Sequence, residues 1–310
     1  MSILVCGSIA YDTIMVFRDQ FKNHILPDQI HILNVAFLVP DMRREYGGCA
    51  GNIAYGLKLL GEEPFIMATV GHDFEPYGRR LDTLGLSKRH VRLLDEQFTA
   101  QAFITTDIDD NQITAFHPGA MAQSHLNRIA DTSGMRLAIV SPDGRQGMVE
   151  HARDLARARI PYVLDPGQGL PMFSGDDVLE MLAGARCLTV NDYEARLVEQ
   201  KTGKTIAELA TRVEAVVVTR GAEGADILSG GQQIHVPAVK PDSLVDPTGC
   251  GDAFRAGLLY GMARGWDWRR CGRLASLMGS IKIAYRGGQN HRVSRDEIER
   301  RFGDAFGERL

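Results

Sequence analysis

Asp246-Pro247-Thr248-Gly249-Cys250-Gly251-Asp252 is the segment whose residue types and spacing most directly suggest chemistry. Pro247 and two glycines end an extended stretch, and the small-residue run to Ala263 that follows has helical character, so the chain enters a helix at about Gly251. The unpaired N–H groups of a helix start carry the positive end of its dipole and form an anion site. Gly249 and Gly251 let backbone approach an anion closely, and Asp252 stands in the first turn beside it. An isolated GxGD could equally be a turn followed by a dipole-stabilising Asp; its flanking residues and the motifs elsewhere in the chain argue against that.

Five other segments bring polar side chains to glycine-rich turns or to the ends of strand-like runs. Tyr46-Gly47-Gly48-Cys49-Ala50-Gly51-Asn52 is a glycine-rich turn leading into a helical stretch. Asp12 closes Gly7-Ser8-Ile9-Ala10-Tyr11-Asp12 after the first strand, and a carboxylate can accept from two vicinal hydroxyls at once. Asn191-Asp192-Tyr193-Glu194 ends a core strand, where Asn191 suits a helix N-cap. Thr219-Arg220-Gly221-Ala222-Glu223-Gly224 follows another. Gln168, in Asp165-Pro166-Gly167-Gln168 at a strand's carboxyl end, offers a donor and an acceptor to a purine edge.

Taken together these segments resemble the ribokinase-like (PfkB) carbohydrate and nucleoside kinases, whose members keep a D-T-x-G-A-G-D type motif. Pro247 stands for the usual Thr and Cys250 for the usual Ala. The resemblance implies that Asp252 is the general base and that the backbone of Gly249, Cys250 and Gly251 is the anion hole. A weakly basic carboxylate is adequate there, because in a loose phosphoryl-transfer transition state the proton leaves late. It further implies that Gly48 lets the substrate lie against backbone, that Asn52 and Asp12 hold ribose hydroxyls, and that Glu194 holds Mg²⁺ through water. One carboxylate suffices for an ion that keeps its waters. By the same resemblance Asn191 sits near the phosphates, Thr219 and Gly221 meet the ATP phosphates, Gly224 allows the turn, and Gly287–Asn290 close around the adenine.

Leu26-Pro27-Asp28-Gln29-Ile30 resembles the lid-edge segment of adenosine kinases, which makes Gln29 a ribose or base contact. Phe103 and Phe116 would supply apolar surface under that lid, either for a stacked base or for the lid's own small core. The activity implied is Mg²⁺- and ATP-dependent phosphorylation of the 5′-hydroxyl of a purine nucleoside such as adenosine, with a ribose- or fructose-type sugar kinase as the runner-up. The family also leaves room for a monovalent cation, and a monomer is expected over a lid-paired dimer.

Positioning these groups requires a particular set of elements. Strand-like runs at Ile3–Cys6, Phe65–Thr69, Leu137–Ser141, Tyr162–Asp165, Leu188–Asn191 and Ala215–Thr219 alternate with helical stretches including Gly51–Leu60, Gly147–Ala158, Asp192–Lys201 and Trp268–Tyr285. That alternation predicts an α/β three-layer sandwich with a mostly parallel sheet. Ala225–Ser229 and Gln232–Pro237 flank Gly230-Gly231 as a hairpin. Segments 11–46 and 99–116 contain β-like stretches at Ile14–Phe17, Ile30–Leu38, Gln101–Thr106 and Gln112–Phe116 without crossover helices. They cannot easily join a parallel sheet, so they are expected to form a small β-sheet lid on one 1–310 kinase domain.

Composition excludes several classes. The 310 residues carry a net charge of −4 with no basic block, which argues against a nucleic-acid binder. The five cysteines are scattered without a CxxC pair, so neither a zinc site nor a disulfide framework is indicated. No apolar run approaches a membrane span, and Met1 runs straight into a strand, so no signal peptide and a cytoplasmic location are expected. Gly56 and Gly61 have P-loop spacing but are followed by Glu62 where the phosphate-binding Lys belongs. Gly7-Ser8-Ile9-Ala10 is not a dinucleotide fingerprint. A non-catalytic nucleoside sensor on the same fold would not need Asp252, its glycines and Glu194 together.

Overall fold

A computed structural model of the chain describes residues 2–25, 34–109 and 111–310. In chain order the N-terminal half runs β1 (Ser2–Cys6), β2 (Ala10–Val16), β3 (Asp41–Gly47), α1 (Cys49–Leu59), β4 (Phe65–Gly71), α2 (Glu75–Leu84), β5 (Ser87–Leu94), β6 (Ala100–Thr106), β7 (Gln112–His117) and β8 (Met135–Val140). It continues through α3 (Arg145–Arg157), β9 (Tyr162–Leu164), α4 (Gly175–Leu182), β10 (Cys187–Asn191), α5 (Asp192–Thr202), α6 (Ile206–Leu209) and β11 (Ala215–Thr219). The hairpin β12 (Ala225–Ser229) and β13 (Gln232–Val236) precedes α7 (Cys250–Ala263), α8 (Trp268–Ile283) and α9 (Arg295–Phe306).

Nine strands form the main sheet in the order β13-β12-β11-β10-β9-β8-β1-β4-β5, and only the β12–β13 hairpin runs antiparallel to its neighbours. The alternation of side chains along β1 divides the interior in two. Ile3 and Val5 point into a core closed by α1, α2, α7, α8 and α9. Leu4 and Cys6 point into the other, closed by α3, α4 and α5. These strands are buried on both faces and therefore read as continuous apolar runs. From β1 the chain builds outward to β4 and β5 on one side and returns at β8 to build the other, so a crevice opens at the carboxyl ends of β1 and β8.

A second sheet has the order β3-β2-β6-β7. It grows directly from the carboxyl end of β1 and returns through β3 to α1, so it stands beside that crevice. Its strand β3 is a correction to the sequence reading, which put a strand at Ile30–Leu38. Residues 34–38 have no regular structure, residues 30–33 lie outside those described, and the pairing partner of β2 is Asp41–Gly47. That strand reads Asp-Met-Arg-Arg-Glu-Tyr-Gly and lacks apolar alternation because it is an edge strand, mostly wet. Among the described residues no helix is long and apolar enough to cross a membrane. All five cysteines are free thiols.

Candidate active site

Helix α7 begins where the sequence places it. Gly249 is its N-cap with φ 77° and ψ 6°, a left-handed conformation that favours glycine. The Cys250 N–H donates to Pro247 O and the Ala253 N–H to Gly249 O, which leaves the N–H groups of Gly251 and Asp252 without an acceptor among the described residues. The Asp246 carboxylate ties the approach together, accepting the N–H groups of Thr248 and Gly287 at 2.8 Å each.

The Asp252 carboxylate accepts from Asn52 Nδ2 at 2.8 Å. Asn52 Oδ1 in turn accepts from Gln289 Nε2 at 3.1 Å, and the same amide donates to the Tyr77 hydroxyl at 2.6 Å. Tyr77 passes its own proton to Gly47 O at 2.8 Å. Asn52, Gln289 and Tyr77 are buried, so this chain is shielded from water and fixes the carboxylate's orientation against the end of β3. Burial pushes the Asp252 carboxyl up to about 6, against the pull of the Asn52 hydrogen bond and the Arg255 guanidinium. Asp12 is likewise lifted to about 6, by burial first and then by the charges of Asp252, Glu45 and Asp246.

One turn into α7, Arg255 makes a buried bidentate pair with Asp165, Nε–Oδ2 and Nη2–Oδ1 both at 2.9 Å. The two side chains are only 7% and 4% exposed, and Glu194 Oε2 lies 4.0 Å from the same guanidinium. The sequence reading assigned Arg255 no role. Its signal was an arginine inside an otherwise small and apolar helix, a position that buries charge only when it is paired.

A cavity of 730 Å³ runs from this helix start along the carboxyl ends of the strands. Gly249, Cys250, Gly251 and Asp252 line it, and so do Asn191, Glu194, Thr219, Gly221 and Gly224 among others. Asn191 and Glu194 form a capping box on α5, with Glu194 N–H to Asn191 Oδ1 at 2.7 Å and Asn191 N–H to Glu194 Oε2 at 2.8 Å. Gly224, at φ 92°, packs so closely on Val236 O that a Cβ could not fit. Gly221, at φ 53°, opens onto free space.

Asp12, Gly48 and Asn52 are not in that lining; Asp12 belongs to strand β2 of the small sheet, and Asn52 meets the Asp252 carboxylate from the first turns of α1. Gly48 caps α1 at φ 86°, and a Cβ there would stand 2.6 Å from Ala10 N and Ser8 O. Its glycine is thus required by backbone crossing backbone, whatever lies against it. Asn52 spends its carbonyl on Gln289 and one amide proton on Asp252, so it orients the carboxylate as well as facing the site.

Two expectations are corrected. Gly287–Asn290 does not reach the large cavity: Gln289 bonds Asn52 and Tyr77, and Asn290 bonds Glu45 at 2.7 Å, so the segment closes on the Asp12 side. Gln168, read as facing the crevice, lines the large cavity with Asn191 and Glu194. Phe103 and Phe116 do not share a surface. Phe116 pairs with Ala102, which pairs with Asp12, so register puts Phe116 on the Asp12 face. Phe103 pairs with Thr13 and Ala115 and faces the other way. Gln29 lies outside the described residues.

Residues 10–295 match the model of the pfkB family carbohydrate kinases. The chain belongs to that family. Its members are phosphotransferases acting on an alcohol group, and so is this pfkB chain. The nucleoside kinase of Methanocaldococcus jannaschii is 30% identical over 275 residues, covering 87% of this chain and 89% of that protein. The structure of Burkholderia thailandensis nucleoside kinase in complex with inosine superposes with a TM-score of 0.91 at 53% identity, covering 99% of both chains. The same protein in complex with ADP-inosine gives 0.88 at 55% identity, over 99% of this chain and 97% of that one. The fold, both sheets included, is that of the pfkB kinases.

Proposed function

We infer that this pfkB chain is an ATP-dependent nucleoside kinase that transfers the γ-phosphate of ATP to the 5′-hydroxyl of a purine nucleoside. What supports the reading is that Asp252 lines the large cavity while its hydrogen-bond partner Asn52 stands near the start of α1 beside the small sheet, whose Asp12 face carries Ile14, Ile104 and Phe116. ATP fits the cavity, with its γ-phosphate at the N–H groups of Gly251 and Asp252 and its other phosphates towards Thr219 and Gly221. The nucleoside fits the Asp12 face, its ribose diol on Asp12 and its base along Phe116.

In this arrangement Asp252, held by Asn52, accepts the proton of the 5′-hydroxyl as that oxygen attacks the γ-phosphorus, and the helix start stabilises charge on the transferred group. The small sheet acts as a lid, with Gly47–Gly48 as its hinge, and excludes water from the transfer. Among the described residues no cluster of three or more acidic, His or Cys groups is arranged for a metal. Mg²⁺ takes one or two carboxylates and completes its shell with phosphates and water. Glu194 is the residue that would hold it, and the ion would neutralise phosphate charge.

The test is a coupled ADP-release measurement with inosine, adenosine, guanosine, ribose and fructose at matched concentrations. A nucleoside is expected to exceed either sugar in kcat/KM by at least about tenfold, the worth of burying a stacked base. Robust turnover of a free sugar with none on any nucleoside would overturn the acceptor while leaving the kinase.

Two further outcomes follow from the geometry. Phe116→Ala should raise the nucleoside KM by about tenfold or more, whereas Phe103→Ala should leave it within about twofold; equal effects would sink the assigned face. A base must be ionised to work, and the Asp252 and Asp12 carboxyls both sit near 6. Activity should therefore be full above about pH 7 and fall through an acid limb centred near 6. An acid limb near 4 in the pH–rate profile would remove the raised carboxyls from the rate-determining step.

A further inference from the structure

Behind the anion-binding segment, in the last turn of α8, Lys282 is wholly buried at 0% exposure. Its Nζ donates to the main-chain oxygen of Asp246 at 2.7 Å and to that of Tyr285 at 3.2 Å. The segment it grips is tied to the end of the same helix, because the N–H groups of Val245 and Asp246 both donate to Ile283 O, at 3.0 and 3.1 Å. Burying an ammonium is costly unless carbonyls and charge compensate it. Compensation here comes from the two carbonyls, from the charges of Asp246 and Asp252, and from the negative end of α8.

Main-chain oxygens converging on one buried positive charge are the surroundings a dehydrated monovalent cation seeks. The family resemblance leaves room for such an ion, but at this position the donor set does not fit one, because the chain's own ammonium already occupies it. We propose that Lys282 is a tethered cation, which orders the Asp246–Asp252 segment in place of a dissociable ion and makes phosphoryl transfer independent of added potassium. A charge fixed on a side chain pays no binding entropy and is present at any ionic composition. Lys282 touches neither substrate nor phosphate in this scheme; it is a positioning residue. The proposal rests on the segment 249–252 being the anion hole of the kinase.

The experiment compares the wild-type enzyme with Lys282→Met and Lys282→Arg in potassium, ammonium and tetramethylammonium chloride, the last too large to enter. Wild-type kcat should be the same in all three within about twofold, a segment already positioned gaining nothing from an ion. In tetramethylammonium K282M should lose about 10²-fold in kcat, the cost of a small misplacement of catalytic groups, with the nucleoside KM little changed. Ammonium or potassium should restore at least about tenfold of that, and should raise the melting temperature of substrate-free K282M but not of wild type, since an ion bound only by the folded variant stabilises it. K282R should fall between wild type and K282M. Wild-type activity that rises more than about tenfold with potassium overturns the proposal, as does a K282M enzyme fully active in tetramethylammonium or unmoved by every ion. Should K282M fail to fold in any salt, the wild-type salt comparison decides. If wild type turned over no nucleoside at all, the acceptor reading would fall, while the melting comparison would still judge Lys282.

Discussion

Asp252→Asn is expected to lower kcat by about 10²–10⁴ while leaving both substrates bound, because it keeps the size of the side chain and removes the proton acceptor. The same substitution should make the unliganded protein more stable at pH 7. The sign follows from the Asp252 carboxyl being raised from an ordinary 3.8 to about 6 by burial. Between those values the folded protein holds a proton that the unfolded chain has released, so stability declines as pH rises through that window and the cost is complete above it. Asn carries no charge and escapes the cost, a gain on the order of 1–3 kcal/mol at neutral pH. Single-turnover kinetics measure the first effect and urea unfolding at pH 7 the second. Turnover within a few fold of wild type would reduce Asp252 to a helix-end charge.

Arg255→Met should cost about 3–5 kcal/mol of folding free energy, since it leaves Asp165 buried without its partner. Glu194 loses its neighbouring positive charge in the same step. Removing the Asp165 charge as well, by combining Arg255→Met with Asp165→Leu, should recover much of that loss, because an apolar pair of similar volume avoids desolvation altogether. Urea unfolding of the single and double variants decides it. A single variant within about 1 kcal/mol of wild type would mean that water reaches the pair and that the α7–β9 junction is not held by it.

Much of this site was legible in the sequence because its parts are local. Gly249 and Asp252 lie three residues apart on one helix start, and the phosphate-side residues sit at the ends of apolar runs that can only be buried parallel strands. What was not legible depends on long-range geometry. Gln289 was read as part of an adenine loop because nothing near it in sequence reveals Asn52 and Tyr77 as its partners. Phe103 and Phe116 looked equivalent until strand register assigned them to opposite faces, and register is set by pairing rather than by composition. The strand at Asp41–Gly47 was missed for a different reason: an edge strand rich in charge gives no alternation to read. The sequence reading took Asn52 as a ribose contact, and its hydrogen bonds show it holding the Asp252 carboxylate.

All the strands of both sheets precede residue 237, whereas α7 and α8 follow it. The contacts that aim the Asp252 carboxylate join positions 200 and 237 residues apart, Asn52 with Asp252 and with Gln289. A polypeptide emerging from the ribosome can thus complete its sheets with α1 and α2 in place, while the rest of that apolar face, Ile139 and Val217 among it, still waits for α7 and α8 to cover it. During that interval the nascent chain has its strand ends but lacks the start of α7 with Asp252, so on the proposed mechanism it cannot transfer a phosphoryl group. It does present a sticky surface to its neighbours and to chaperones. Catalytic competence and protection from aggregation therefore arrive together, with the synthesis of the last quarter of the molecule.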